Sequence, residues 1–470
     1  MSNQQNRLSN LISEKVAEKL RSFTETNLAL FAIGEAGVVV VGQTVAIMSV
    51  IGILNLGLSS ALGTLLPQKN KLEGVARARA LLWTAMRLNL IIGIITLCVV
   101  IRSSSWLTGF FMSGNQQHEA TLYLNWVGGS WGILYGMRDI LSVALVEKDQ
   151  TQILKQTSVA TLLLVFAANV IWLAVGDWNL VSLALSSVVV RLAMIFVLMG
   201  FVVKQYSTSS QLQHGRKSSE HAWKRRWICE LRDATALLKH AVPISFRWTL
   251  DYGGQLCFNS IVLSLGGVIT YAGYGLWIQL RSLLINPLGL AAGRIAQKDI
   301  SKVPGVYPKL EERTARINAY QQILDQYVVE VGIRKMIRER KSMVVGVLML
   351  FVCYILFQLL VLHTNANVMI QFSVITITGL LYWWHLPQTC YYEQAFLGIA
   401  ELKWRQVRVT LLGLTATGVT TWLYMSLAKL VPVNGFVAVA VALGAFTGLW
   451  GWHVPYSRIK EQLTQIKKVK

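Results

Sequence analysis

Three carboxylates, Asp139, Asp251 and Glu393, lie inside long apolar segments of the chain. In such a setting a carboxylate can take up and release a proton or hold a cation, because burial and neighbouring charges decide whether its charged form is stable. His385 is a fourth candidate, since an unperturbed imidazole titrates near pH 6.5. An equally good interpretation of His385 is that it caps a helix break at Pro387. These four residues are our candidates for binding a coupling ion.

Arginines also occur inside the apolar segments, where a central charge costs at least about 2.5–3.5 kcal/mol. They are Arg87, Arg138, Arg191, Arg247, Arg281 and Arg294. We expect them to face a polar cleft or one another. The residues predicted to line a substrate cleft are Arg191, Arg247, Tyr274, Trp277 and Arg281.

Spacing supports two of these groupings. Arg247 precedes Asp251 by one helical turn, and Tyr274, Trp277 and Arg281 follow one another at intervals of three and four residues. Two interpretations stay open. The charges either form structural ion pairs between helices, or they form a polar pathway whose arginines suit an anionic substrate.

The elements that must position these residues are apolar helices. The chain has 470 residues, 54% of them hydrophobic and 14% charged, with a mean hydropathy of +0.48. Soluble domains carry about 25% charged residues, so the composition is typical of a polytopic membrane protein. Eleven segments approach the roughly 20 residues that cross a bilayer. They are 38–66, 79–101, 119–146, 151–175, 179–203, 238–264, 268–297, 341–362, 367–397, 403–428 and 433–453. No cleavable signal peptide is expected in residues 1–26, which have no uninterrupted apolar core.

The net charge of +21 is distributed unevenly over the loops. If the loops alternate between the two sides, one side and its adjoining span ends carry 32 Lys and Arg, and the other side carries Arg102 and Lys429. Such a bias marks the cytoplasmic side. We therefore predict an integral protein of the bacterial inner membrane with a cytoplasmic C-terminus, and no nucleic-acid partner.

The sequence offers little for enzyme or metal chemistry. The five cysteines form no CxxC pair, and four of them lie in spans as small apolar residues. No phosphate-binding glycine loop ending in Lys-Ser/Thr, HExxH or GxSxG motif occurs. We expect no enzyme activity, no metal site and no cofactor apart from a coupling ion, H⁺ or Na⁺.

The two halves of the chain resemble each other. The phrase "NLGLSSALG" at 55–63 aligns with "PLGLAAG" at 287–293 at an offset of 232 residues, which also places "IGEAGVVVVG" at 33–42 on "LGGVITYAGY" at 265–274. At an offset of 254, residues 134–152 align with 388–406. Small residues let transmembrane helices approach closely, and internal repeats build the central site of many transporters.

These segments resemble the multidrug and toxic compound extrusion (MATE) family, within the superfamily that includes oligosaccharide-lipid flippases. "VGQTVAIMSVIGILNLGLSSALGTLLPQKNKLEGVARARALL" resembles its second helix, loop and third-helix start, "LLKHAVPISFRWTLDYGGQLCFNSIVLSLGG" its seventh helix, and "FLGIAELKWRQ" the loop after its tenth helix. The resemblance implies an all-α protein of twelve helices in two pseudo-symmetric six-helix bundles. It also implies alternating access and export driven by an H⁺ or Na⁺ gradient.

The resemblance bears on individual acids. Asp251 follows Pro243 by eight residues, as a family acid often does, which makes it the main coupling candidate. The family's first-helix Asp has no counterpart, and Glu25 is the nearest carboxylate. Residues 8–33 are rich in charge, so this first helix is predicted to line a water-filled cleft, to lie at the membrane interface, or to be degenerate.

The predicted organisation has five parts. They are an amphipathic or degenerate first helix (1–33), an N-terminal bundle (34–203), a basic cytoplasmic linker (204–237), a C-terminal bundle (238–453) with a cytoplasmic insert (299–340), and a basic cytoplasmic tail (454–470).

Three functions remain as alternatives. The first is a monomeric MATE-like exporter of small organic molecules, and the second is a flippase for an anionic lipid-linked glycan. The third is a membrane scaffold without transport, which the charged first helix suggests. In each case membrane lipid surrounds the protein.

Overall fold

The computed structural model describes residues 3–51, 53–111, 115–176, 178–207 and 220–284, together with 352–356, 358–360, 365–370, 372–373 and Thr376. Every regular element in this part of the chain is a helix, so the predicted all-α class is confirmed. The helices are α1 (Asn3–Ile33), α2 (Glu35–Ile51), α3 (Ile53–Glu73), α4 (Val75–Phe111), α5 (Asn115–Tyr123), α6 (Gly129–Glu147), α7 (Thr151–Val175), α8 (Leu180–Ser207) and α9 (Glu220–Leu284). A five-residue π-helical segment, Leu124–Gly128, joins α5 to α6.

The helices follow the predicted spans up to residue 284. α2 and α3 together cover the first span, α5 and α6 the third, and α9 contains all of the sixth span and part of the seventh. α8 continues to Ser207 and α9 is helical from Glu220, so both helices extend into the linker predicted at 204–237, and residues 208–219 lie outside the described residues. The predicted insert, the tail and most of the C-terminal bundle lie outside the described residues.

Glycines in the left-handed backbone region mark the connections between spans. Gly34 (φ 78°) separates α1 from α2, and Gly267 (φ 73°, ψ −178°) breaks α9 into two helical parts. Only glycine adopts such a conformation without steric cost. The two positions are 233 residues apart, within one residue of the offset that relates the two halves, which supports the proposed repeat.

The outer surfaces of three helices are suited to lipid. α4, α7 and α8 contain apolar stretches long enough to span a membrane, with mean hydropathies of 2.2, 2.3 and 2.3. Large apolar side chains point outward from them, including Ile95 (58% exposed), Leu163 (60%) and Phe196 (65%). A lipid bilayer solvates such apolar surfaces. The exposed faces of these helices therefore agree with the integral membrane protein that the sequence predicts.

Inside, the described helices pack around two apolar clusters. The first joins α3, α4, α6 and α8 to the start of α9 through residues such as Leu62, Leu141 and Leu237. The second joins α2 to the part of α9 beyond Gly267, and it contains Tyr271, Tyr274 and Trp277. α9 therefore packs on the N-terminal helices along much of its length.

The close approach of α3 and α9 explains one of the repeated glycines. A β-carbon on Gly57 would lie 2.6 Å from the Ala241 carbonyl oxygen and 2.0 Å from the Ser245 hydroxyl. The phrase "NLGLSSALG" therefore contains a position where only glycine fits between the two helices.

Candidate functional site

The charged residues of α1 face the interior. Glu14, Glu18, Arg21 and Glu25 follow one another at intervals of four, three and four residues, so they share one face of the helix. Glu14 is fully buried, and Arg21 and Glu25 are 8% and 9% exposed. α1 is thus a regular helix whose charges line a cleft against α6, α7 and α8. The three expectations for the place of this segment in the membrane stay predictions.

The part of this cleft nearer the N-terminus of α1 contains what we call the inner group, Glu14, Lys15, Glu18 and Arg138. Arg138 of α6 donates to Glu14 at 3.0 Å, pairs with Glu18, and also donates to the Ser158 hydroxyl at 3.0 Å. Lys15 donates to Glu18 at 2.6 Å and lies 3.5 Å from Glu14. Two acids face two bases, so the inner group is electrically balanced.

About two turns further along α1 lies the outer group, Arg21, Glu25 and Arg191. One carboxylate oxygen of Glu25 accepts a 3.0 Å hydrogen bond from Ser187 and lies 3.7 Å from Arg21 and 3.8 Å from Arg191. Arg21 also donates to the Tyr135 hydroxyl at 2.8 Å. Two guanidinium groups therefore share one carboxylate, which leaves one positive charge in excess.

Aromatic rings of α6 support Arg191. Its guanidinium carbon lies 4.4 Å from the ring centre of Tyr135 and 5.8 Å from that of Trp131. The two rings stack at 3.7 Å. Cation–π contact stabilises a guanidinium that has lost its water. The Arg191 Nε is buried without a hydrogen-bond partner among the described residues.

Glu18 and Arg138 of the inner group and Arg21 and Arg191 of the outer group line one cleft, which is open at its mouth. The lining residues are Ala17, Glu18, Arg21, Leu134, Tyr135, Arg138, Thr157, Ser158, Thr161, Arg191, Met194, Ile195 and Leu198. One acid and three arginines contribute to this wall, so the cleft is polar, positively charged and bounded by aliphatic side chains at one end.

Comparison with known proteins identifies the fold in which this cleft lies. A multidrug resistance MATE family transporter of the MOP superfamily matches in its outward-facing conformation, with a TM-score of 0.66, 13% identity, and 99% and 96% coverage of the two chains. An inward-facing structure of such a transporter matches with a TM-score of 0.65, 12% identity, and 100% and 99% coverage. The chain has the fold of the MATE transporters. The family resemblance in the sequence implied this fold, and the comparison confirms it.

A third match is a MOP superfamily transporter from Pyrococcus furiosus whose reversed binding-pocket polarity is said to suggest a different function, with a TM-score of 0.66, 12% identity, and 98% and 96% coverage. No protein-family model matches the sequence, and no curated protein does either. The likeness to MATE transporters is therefore a likeness of fold at low sequence identity.

The structure places some of the predicted site residues in this MATE-like fold. Arg191 lines the cleft between α1, α6, α7 and α8, and its role in binding a substrate stays a prediction. Asp139 lies half-buried on α6, next to Arg138, and does not line the cleft. Tyr274 and Trp277 are 2% and 4% exposed in the apolar cluster between α2 and α9, with their rings stacked at 6.2 Å.

The other predicted residues are not tested by the structure. The helix that carries Asp251, Arg247 and Arg281 is described, but their side chains lie outside what the structure describes. Glu393 and His385 lie outside the described residues altogether. Their roles in binding an ion or a substrate remain predictions.

Several residues of the cleft and of the two charged groups beside it were not among the predicted site residues. They are Glu14, Glu18, Arg21, Glu25, Tyr135, Arg138 and Ser187. The sequence does contain a signal for the charged residues of α1, because positions 14, 18, 21 and 25 fall on one face of a helix. The partners on α6 and α8 give no such signal, since they are more than 110 residues away in the sequence.

A second set of charges ties the α3–α4 turn to the start of α9, and we call it the α3–α9 clasp: Lys69, Glu73, Arg77 and Asp233. The Asp233 carboxylate, 3% exposed, lies 3.3 Å from Arg77 and 3.8 Å from Lys69. Glu73 accepts from Lys69 at 2.6 Å and from Arg77 at 3.1 Å. The hydrogen bond from Lys69 lowers the pKa of Glu73 below its ordinary value.

A polar contact joins α1 to the second half of the chain. The Asn27 amide oxygen accepts a 2.6 Å hydrogen bond from the Tyr354 hydroxyl and another from Gln358, and Ser22 donates to Gln279 at 3.1 Å. α1 thus presents charged residues to the N-terminal helices and uncharged polar residues to the C-terminal half.

Proposed function

We propose that this chain is a secondary transporter that exports small organic molecules across the bacterial inner membrane by alternating access. The observation that carries this proposal is the fold, which matches MATE transporters in both the outward-facing and the inward-facing conformation over nearly the whole chain. A cleft lined by ionisable side chains between α1, α6, α7 and α8 supports it further. The C-terminus, with its basic tail, lies in the cytoplasm.

The driving force in this proposal is an H⁺ or Na⁺ gradient, and Asp251 is the main coupling carboxylate. Its position within a span and its distance from Pro243 support that role, with Arg247 one turn away. Glu393, Asp139 and His385 are the alternative coupling residues. The chain works as a monomer and requires no cofactor beyond the coupling ion.

Flux into and out of proteoliposomes tests this function. An organic cation (ethidium) and an organic anion (carboxyfluorescein) are loaded in turn, and a pH or Na⁺ gradient is imposed. Gradient-driven flux of one of them above that of protein-free liposomes is expected. Asp251→Asn should abolish the flux, whereas Glu119→Gln, which neutralises an exposed carboxylate on α5, should not. If Asp251→Asn transports at the wild-type rate, Asp251 is a structural partner and Glu393 becomes the coupling candidate.

The second candidate function is a flippase for an anionic lipid-linked glycan. The excess positive charge of the outer group favours it. A deletion strain that accumulates glycan-lipid on the cytoplasmic leaflet would support the flippase over the exporter of small molecules. The scaffold alternative is less well supported, because α1 is a regular helix whose charged side chains pack against α6, α7 and α8.

A further inference from the structure

The outer group is short of one negative charge. Arg21 and Arg191 are both about nine-tenths buried, and Glu25 is the carboxylate that approaches both. Each separation, 3.7 and 3.8 Å, is longer than the 2.7–2.9 Å typical of charge-assisted hydrogen bonds. Buried charges in proteins are normally paired and hydrogen-bonded, because an uncompensated charge is costly away from water. The inner group, with two acids and two bases, meets that requirement without help.

We propose that the outer group binds a phosphate group of the transported molecule. This inference rests on the proposed transport function and specifies the chemistry of its substrate. The anion supplies the missing negative charge and lies against Arg191, with Arg21 as its second donor.

The geometry around Arg191 supports a ligand site. The stacked rings of Trp131 and Tyr135 hold the guanidinium group by one face, which leaves its edge for hydrogen bonds. The Nε on that edge is buried and has no partner in the described part of the chain. A planar guanidinium group with a free edge is well suited to a phosphate or carboxylate.

The wall of the cleft offers both polar and apolar surface beside the outer group. Thr157, Ser158 and Thr161 of α7 contribute hydroxyl groups to its wall, and Met194, Ile195 and Leu198 of α8 contribute apolar surface. A molecule with an acidic group and an apolar portion therefore finds a complementary surface for each.

Substitution of Glu25 distinguishes the proposed anion site from a purely structural ion-pair cluster. In a structural role, Glu25 and Arg191 both contribute to packing, and removal of either weakens the cluster. In a binding role they act in opposite directions, because Glu25 competes with the anion for the same two guanidinium groups. Glu25→Gln should then tighten anion binding, while Arg191→Gln should weaken it.

The experiment is equilibrium binding to the purified full-length chain in detergent, measured by calorimetry. The probes are inorganic phosphate, a polyprenyl phosphate and the matching uncharged polyprenol. Loss of a hydrogen bond to a charged group weakens binding by roughly tenfold to a hundredfold. We expect a loss of that size for Arg191→Gln, a smaller loss for Arg191→Lys, which keeps the positive charge but not the planar guanidinium edge, and an increase for Glu25→Gln. Arg87→Gln, which removes an exposed arginine of α4, is the matched control and should bind as the wild type does.

The probes separate the two sources of the anion. Binding of polyprenyl phosphate alone indicates a lipid-linked substrate, and binding of inorganic phosphate as well indicates that a free anion suffices. The proposal is overturned if neither phosphate binds, if polyprenol binds as tightly as polyprenyl phosphate, or if Arg191→Gln binds like the wild type. Because binding needs no gradient, Arg191-dependent binding without transport would contradict the transport function and leave the anion site standing.

Discussion

Replacing Gly57 with alanine should separate α3 from α9. The new β-carbon would lie 2.6 Å from the Ala241 carbonyl oxygen, about 0.8 Å closer than the 3.4 Å at which ordinary van der Waals contact begins. The Ser245 hydroxyl can rotate away, but the carbonyl belongs to a helix backbone and can move only with the helix. Overpacking of this kind costs about 1–3 kcal/mol, which changes an equilibrium about 5-fold to 150-fold.

Gly200→Ala is the matched control for this prediction. Gly200 lies on the exposed surface of α8, and a β-carbon there would meet nothing within 4 Å. Both variants gain the same methyl group and the same increase in helix propensity, about 0.8–1.0 kcal/mol. The difference between them therefore isolates the contact between α3 and α9.

Thermal unfolding in detergent, followed by tryptophan fluorescence, measures that difference. We expect a midpoint several degrees lower for Gly57→Ala than for Gly200→Ala. Adding Ser245→Gly should recover only part of the loss, because the Ala241 carbonyl remains. Equal midpoints for the two alanine variants would refute the close packing of α3 on α9.

Three further predictions concern the α3–α9 clasp and the membrane topology. Asp233→Asn removes the buried carboxylate that Lys69 and Arg77 share, and should lower the free energy of unfolding by about 1–3 kcal/mol; an unchanged denaturant midpoint would contradict the clasp. Because its folded-state pKa is lowered, Glu73 stabilises the clasp above its unfolded pKa of about 4.3 and loses this effect as the pH falls through the lower folded value. The unfolding midpoints of the wild type and Glu73→Gln should therefore differ at neutral pH and converge only well below pH 4.3, and convergence already at pH 6 would contradict this assignment. A single cysteine at position 467 should resist a membrane-impermeant reagent added outside intact cells, whereas efficient labelling there would overturn the predicted topology.

The sequence predicts the helices of this fold well, because a bilayer imposes one length on every span. α4, α7 and α8 lie where the apolar segments are, and the kink at Gly267 falls between two predicted spans. The sequence does not predict α1 in this way, because its charged residues argue against a membrane span. Their partners Arg138 and Arg191 lie on helices that are distant in the sequence, so the pairing becomes visible only in the structure.

The candidate site was predictable in part. Arg191 could be assigned to a cleft because a central arginine must find polar surroundings. The contacts of Arg191 with Glu25 and Tyr135 depend on how α8 and α6 are rotated about their axes relative to α1. The spacing of residues in a single sequence does not predict that rotation. Tyr274 and Trp277 show why spacing alone does not decide between two environments. The same helical spacing is expected for residues that face a cleft and for residues that pack in an apolar cluster, as these two do.

Alternating access itself is tested most directly by two distances in the same preparation. With Cys98, Cys229, Cys257, Cys353 and Cys390 replaced by serine, spin labels are attached in pairs. One pair is at positions 71 and 232, beside the α3–α9 clasp, and the other is at positions 35 and 268, beside the two left-handed glycines. The account predicts that each pair shows two distances in proteoliposomes, and that an imposed ion gradient lengthens one pair as it shortens the other. A single unchanging distance in both pairs, with and without the gradient, would contradict it.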